Sequence, residues 1–383
     1  MKQINITIII LGSMAKTTLQ IKRLSTIFIA AVLLGAVAVF GPPQPAYAGP
    51  PPLPFSIENT PTGGDCEDEE IGQWNDKTKT CRLTVDLEVG ERIVIGDGDI
   101  TLNCDDHTLD GPGFGNGISI IGKSFVTIKN CNVTEFSTGI LLDGATDNSI
   151  KSNNVFDNIF GIDLARSDFN EIKDNTANEN SLGIRLFDSD FNEIKDNTAN
   201  GNNVGIFLFA SDFNEIKDNT ANGNNSGIAL SDSNDNTLNE NTANENDRNG
   251  ILLFLSNDNT LNDNTANEND VQGIRLRFGS NDNILIGNTA NENRGGIRVS
   301  GSNDNTLNDN TANGNLRDGF LLNTNSNGNT LEDNEAKNND DFGFEDLSTD
   351  TGTSGTANFY TDNICEANGS GGSDPTGLCS PQV

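Results

Sequence analysis

The chain has 383 residues, 56 acidic against 23 basic side chains, a net charge of −33 and one histidine. Such a surface repels nucleic acid and anionic membranes, so neither is expected as a partner, and it favours solubility in salt or weak association with divalent cations. Only 34% of residues are hydrophobic, a composition compatible with disorder were the apolar positions not so regularly spaced.

Residues 1–48 read as a signal peptide. A basic stretch ending in Lys22 and Arg23 precedes an apolar run from Ile27 to Phe40, and Ala46-Tyr47-Ala48 offers a small-x-small cleavage site. The run is short for a spanning helix, and Pro42, Pro43 and Pro45 follow it. Met14 heads a more ordinary signal than Met1. Cleavage would remove Lys2, Lys16, Lys22 and Arg23 but no acid, taking the net charge from −33 to −37. No second apolar run follows. The product is therefore expected outside the cytoplasm, secreted or at the cell surface, with no membrane insertion after cleavage.

Residues 49–64, with five prolines, read as a flexible leader. Residues 65–99 and 346–383 are expected to cap a repeat domain over 100–345. Six cysteines in an exported chain suit disulfides. Local pairing is the simplest scheme: Cys66–Cys81, Cys104–Cys131 and Cys365–Cys379. The outer pairs fall where a solenoid needs caps, since its ends otherwise expose apolar faces and open strand edges.

The repeat carries most of the information. Ser-Asp-Phe-Asn-Glu-Ile-Lys-Asp-Asn-Thr-Ala-Asn occurs unchanged at Ser167–Asn178, Ser189–Asn200 and Ser211–Asn222, 22 residues apart. A Gly column extends the period from Gly117 to Gly343, eleven marks at intervals of 22–24 residues. An Asn column follows it: Asn153, Asn175, Asn197, Asn219, Asn241, Asn264, Asn288 and Asn310. Short pieces such as Gly-Ile-Arg-Leu (183–186) and Asn-Glu-Ile-Lys (192–195) alternate with period two, and none is long enough for an amphipathic helix. Three short strands and three corners per repeat make one turn of a coil, the next turn lying on it at ~4.8 Å. Asn and Gly between the pieces suit tight, left-handed corners. The Asn column is expected to form a buried amide ladder. A leucine-rich repeat would need more Leu and a helix, and the calcium-binding nonapeptide signature is absent. The fold class is all-β: a right-handed parallel β-helix solenoid of about eleven coils with disulfide-bearing end segments.

Where repeats are nearly identical, the departures carry function. Two residues after each Gly, an outward position varies: Asp163, Arg185, Phe207, Ala229, Leu252, Arg275, Arg298, Leu321. Two further on, Ala165, Phe187, Phe209, Ser231, Phe254, Arg277, Ser300 and Asn323 vary in the same way. This face gathers Arg and Phe in an acidic protein, and Arg275, Arg277 and Arg298 would crowd like charges on adjoining turns. Arg185, Phe207, Arg275, Arg277 and Arg298 are the candidate ligand-binding residues, suited to a carboxylated or sulfated sugar chain. The competing reading has the arginines paired with surplus acids. His107, among Asp105, Asp106 and Asp110, offers an acid–base cluster but sits in a turn where a structural role is simpler. Phe169, Phe191 and Phe213 are expected to stack on successive turns. Weak Ca2+ binding by the acidic columns is the one cofactor expectation.

The opening Ile100-Thr-Leu-Asn-Cys-Asp-Asp-His-Thr-Leu-Asp-Gly111, with Gly117-Ile118 and Val126-Thr-Ile-Lys-Asn-Cys131, resembles the start of NosD-like and carbohydrate-binding domains of the right-handed parallel β-helix, pectin lyase-like superfamily. The resemblance covers residues 65–380. It implies the fold; activity varies across that superfamily among lyases, hydrolases, epimerases and proteins with no known reaction. The polygalacturonase-like Arg-x-Lys and epimerase-like Asp-Pro-His motifs have no counterpart here. Copper, which the NosD name implies, fits poorly with one His and with Met only at positions 1 and 14. The expected function is non-catalytic binding or organising of extracellular polysaccharide. A lyase or epimerase acting on acidic glycans is the first alternative, and a structural surface protein without a small ligand is the second.

Overall fold

A computed structural model describes residues 53–381; the expected signal peptide lies outside the described residues. Two sheets of 14 strands each run the length of the solenoid, parallel throughout but for one terminal hairpin in the second. A third sheet is built from Thr108–Asp110, Asn132–Thr134 and Asn154–Phe156. Single-residue bridges along Thr176, Thr198, Thr220, Thr242, Thr265, Thr289 and Thr311 continue it. One turn thus comprises a long strand such as Leu182–Phe187 in the first sheet, a short one such as Glu193–Lys195 in the second, and a bridged Thr in the third.

Register follows the sequence period without slip. Ile150 pairs with Ile172, Ile172 with Ile194 and Ile194 with Ile216, so identical apolar side chains stack into a core in which Ile184, Leu186, Ile194 and Ala199 are all fully buried. The eleven Gly-marked turns supply eleven of the first sheet's strands. Phe55–Ile57, Ile93–Ile95 and Gly371–Asp374 supply the other three. The expected leader is therefore ordered over part of its length. Phe55–Ile57 pairs in parallel with Ile93–Ile95 and buries Ile57, because the first winding otherwise leaves its strand edge and apolar end open to water. At the other end the coil runs past residue 345: Phe359–Thr361, Ile364–Glu366 and Gly371–Asp374 join all three sheets.

The corners add acidic residues to the glycines expected to bend. The column glycines are required by proximity. A Cβ on Gly183 would stand 2.6 Å from the carbonyl oxygen of Gly205 on the next turn and 2.9 Å from Asn202 Nδ2. The left-handed backbone falls to other corner glycines, such as Gly201 and Gly223 at φ 67° and 61°, and to acidic residues just before the ladder Asn, such as Asp174, Asp196 and Asp218 at φ 54°, 54° and 53°. The Asn amide is committed inward, so the bend passes to a neighbour whose side chain faces water, and Asp is among the residues that tolerate it.

The expected Asn ladder is present, and two more run parallel to it. Asn175 donates its backbone N–H and its Nδ2 to Asn197 Oδ1, both at 3.0 Å, and Nδ2 also reaches the Ile150 carbonyl at 2.8 Å. The same pattern climbs through Asn148–Asn170 and Asn158–Asn180 at the other corners. A serine ladder, Ser167–Ser189–Ser211–Ser233, fills a further bend. Each amide satisfies groups that a bend takes out of the sheets, which is how so thin a core tolerates so many buried polar atoms.

All three disulfides join the expected partners: Cys66–Cys81, Cys104–Cys131 and Cys365–Cys379. The first ties a four-residue helix, Asp65–Asp68, to an antiparallel hairpin, Gly72–Asn75 with Thr80–Leu83, that covers the N-terminal end. Bonded pairs at both ends fit an exported chain.

Candidate functional site: an arginine-bearing cleft

The outward columns of the first sheet align as their spacing predicts. Asp163, Arg185, Phe207, Ala229, Leu252, Arg275, Arg298, Leu321 and Glu345 are successive cross-strand partners. Their environments divide the candidate residues in two.

Arg185 is spent on its neighbour. Its Nε and Nη2 both reach the Asp163 carboxylate at 2.7 Å, and the guanidinium lies 4.0 Å from the Phe160 ring centroid. Burial raises the Asp163 carboxyl above its usual range, and the two arginine hydrogen bonds oppose that rise. Phe207 is half-buried and tilts against Phe209 at 6.4 Å. It adjoins Arg185 but is separated from Arg275, Arg277 and Arg298 by the turns that carry Ala229 and Leu252.

Arg275, Arg277 and Arg298 do come together. Their Nε–H groups are buried and meet no hydrogen-bond partner among the described residues. Burial first, then Arg277 and Arg298, pushes the Arg275 guanidinium down to about 10. Burial, then Arg298 and Arg248, lowers that of Arg277 as well. Both stay charged at neutral pH. Arg277 is held over Phe278 at 4.3 Å, a cation–π contact that orients the group without neutralising it. Partly desolvated positive charges with no ion pair of their own are costly as they stand.

Beside them lies a cleft of about 510 Å3, and the coil spacing explains it. From ladder Asn to column Gly is three residues at Asn180–Gly183, Asn202–Gly205 and Asn224–Gly227. It is four at Asn246–Gly250 and Asn269–Gly273, three again at Asn293–Gly296, and four at Asn315–Gly319 and Asn339–Gly343. The extra residue raises a rim along this edge, and the turn that lacks it leaves a notch. Gly295 pairs with Gln272 and donates to the Val271 carbonyl, whereas in the preceding turn both Val271 and Gln272 donate to the Arg248 carbonyl. Arg294, Arg298 and Arg317 line the cleft around Gly295 together with Asp318, Asp341 and Glu345, and the Gln272 side-chain amide lies against Gly295. The outward-column reading missed Arg294, Arg317, Asp318, Asp341 and Glu345. The changing Asn-to-Gly interval was the signal that marked them.

Burial raises the Asp318 and Glu345 carboxyls, with nearby acids adding to the rise. Asp190 shows the same direction from the same cause. A carboxyl whose folded value exceeds its unfolded one contributes stability at low pH that is lost as pH rises through the interval. These carboxyls therefore favour the folded state on the acid side of that interval and less above it, so the melting temperature is expected to fall as pH rises through it, and Asp318→Asn should flatten the fall. Melts that rise steadily toward alkaline pH would contradict this.

The other candidates stay apart. His107 Nδ1 lies 3.0 Å from Asp86 Oδ1 in the first turns, far along the chain from the cleft. Phe169, Phe191 and Phe213 stack with centroids 5.1 Å apart and planes within 6°. Neighbouring rings occupy each other's faces and leave mainly edges to solvent, which supports turn-to-turn adhesion over sugar stacking. Among the described residues no group of three or more His, Cys, Asp or Glu is placed to hold a metal ion, and no helix is long and apolar enough to cross a membrane.

The family described as periplasmic copper-binding protein (NosD) matches residues 94–254 and 242–374, most of the solenoid. The chain belongs to the NosD family. No curated protein matches this NosD-family chain by sequence. Solved structures with the same fold include the A-modules of two Azotobacter vinelandii mannuronan C-5 epimerases. AlgE4 is 17% identical over 74% of this chain and 85% of its own, with a TM-score of 0.52. AlgE6 is 13% identical over 79% and 89%, at 0.54. A mutant of the periplasmic alginate epimerase AlgG is 17% identical over 76% and 78%, at 0.51. At these identities the likeness concerns the fold. The family's copper does not fit the donors present. Soft copper sites draw on His, Met or thiolate; here every cysteine is disulfide-bonded, His107 faces Asp86, and no Met lies among the described residues.

Proposed function

We propose that this NosD-family solenoid binds acidic polysaccharide, without catalysis, through Arg275, Arg277 and Arg298 and the notch beside them, and that it does so outside the cytoplasm, secreted or at the cell surface. The observation that carries this reading is the set of buried, unpartnered Nε–H groups in a chain with more than twice as many acids as bases. So large a surplus would pair these arginines if pairing were their role, as it pairs Arg185. A sugar acid also suits both walls of the cleft. Its carboxylate meets guanidinium in a charge-assisted, often bidentate pair, while its hydroxyls can donate to Asp318, Asp341 and Glu345. A phosphodiester chain offers few such donors.

The test is titration of the mature protein with polygalacturonate and alginate, with neutral dextran as control. Binding to the uronate polymers that weakens as salt rises is the expected result, and no binding at low salt would overturn the proposal. A second reading draws on the carboxylates facing Arg298 and Arg317: these could move a proton at a uronate carbon, making the protein a lyase or epimerase. Unsaturated-product absorbance, or a change in uronate stereochemistry by NMR on prolonged incubation, would favour that alternative over simple binding.

A further inference from the structure

The rim has one gap, and depressions lie on both sides of it. The cleft on the first-sheet side is about 510 Å3. A second, of about 350 Å3, lies toward the third sheet and is lined by Glu268, Asp270 and Glu292. Arg294 and Arg317 line both. The notch at Gly295 is thus a saddle flanked by two arginines, opening onto a basin at each end. Each volume falls in the range of ordinary small-ligand sites.

We propose that the acidic glycan crosses the rod through this saddle, with a carboxylate over Gly295 between Arg294, Arg298 and Arg317, and does not run lengthwise along the sheet face. The inference rests on the polysaccharide reading above and fixes the ligand's direction and footprint. Three observations converge on it. On the turns immediately before and after, Asn269–Gly273 and Asn315–Gly319, the rim is one residue taller. Gly295 carries no side chain where its column neighbours Gln272 and Asp318 do, and the nearest side-chain atoms over it are those of the Gln272 amide end. Lengthwise, toward the N-terminus, the face passes from Arg275 to Leu252, Ala229 and Phe207, which offer nothing to a carboxylate. A crossing ligand meets cations at the saddle and carboxylates in both basins, alternating as the acid and hydroxyl groups of a sugar chain do.

Two consequences distinguish crossing from lengthwise binding. Affinity for oligogalacturonates of increasing length should rise over the first few units and then level off, since only a short segment fits the saddle. Insertion of one Ser between Arg294 and Gly295 restores the four-residue interval of the neighbouring turns and should close the saddle with the arginines intact. The insertion should weaken binding about tenfold or more, as expected when charge-assisted contacts lose their geometry, with melting temperature unchanged. Should the insertion disturb the coil, Gly295→Val supplies the same obstruction. The Gly295 backbone is not left-handed, and the atoms nearest a Cβ there belong to the Gln272 side-chain end, at 2.8 Å, which can swing aside. Affinity that keeps climbing with chain length, or full-strength binding by both variants, would show that the glycan lies along the rod; the polysaccharide reading would survive. No binding of any uronate oligomer by the native protein would overturn both.

Discussion

Asn219→Ala is expected to destabilise the solenoid by about 3–5 kcal/mol, out of proportion to the atoms removed. Asn219 Oδ1 accepts from the backbone N–H and the Nδ2 of Asn197, each at 3.0 Å. Its own Nδ2 donates to the Ile194 carbonyl at 2.7 Å and to Asn241 Oδ1 at 3.0 Å. Alanine leaves these partners buried on turns above and below, where water cannot replace the lost bonds. Asn222, three residues on, is the internal control. Its Oδ1 accepts only the Asn244 N–H, at 2.8 Å and partly exposed, so Asn222→Ala should cost less than about 1 kcal/mol. Urea unfolding with hydrogen exchange measures both, the second probe being needed because stacked repeats open locally. Similar losses for the two substitutions would mean that the ladder contributes no more than an exposed hydrogen bond.

Replacing Arg275 and Arg298 together by Met should raise the melting temperature while uronate binding falls roughly 10- to 100-fold. The sign of the stability change is the informative part. Met keeps much of the apolar stem and removes a charge that burial and two like neighbours disfavour, relief in the range of about 1–2 kcal/mol. Residual solvent access keeps the figure at the low end. An arginine with a structural role would show the opposite, as Arg185→Met should by stranding the buried Asp163 carboxylate. Saturating polygalacturonate should raise the melting temperature of the native protein and leave the double variant unmoved, since only binding to the folded state stabilises it. Scanning calorimetry with and without polymer checks both. Equal binding by the two proteins would dispose of the arginine site.

Part of this site is legible in the sequence. Asp163 precedes Arg185 in one column at an interval of 22 residues, so their pairing is a consequence of register. The notch is written in the interval from Asn293 to Gly296 against its neighbours, although a change of one residue says nothing about depth until the rim is seen. The Phe ladder and all three disulfides also followed from position along the chain.

By itself the sequence determined the solenoid, because a side-chain pattern that recurs every 22–24 residues can bury its apolar members only by stacking like on like. It also determined which residues share a face, since strand alternation leaves no freedom once register is set. Tertiary structure alone decided which arginines stay unpaired, how far each is desolvated, and that Phe55–Ile57 belongs to the first sheet. Those outcomes depend on the reach of individual side chains and on the water excluded around them. Both are set by neighbours a full turn away and have no expression in the spacing of residues.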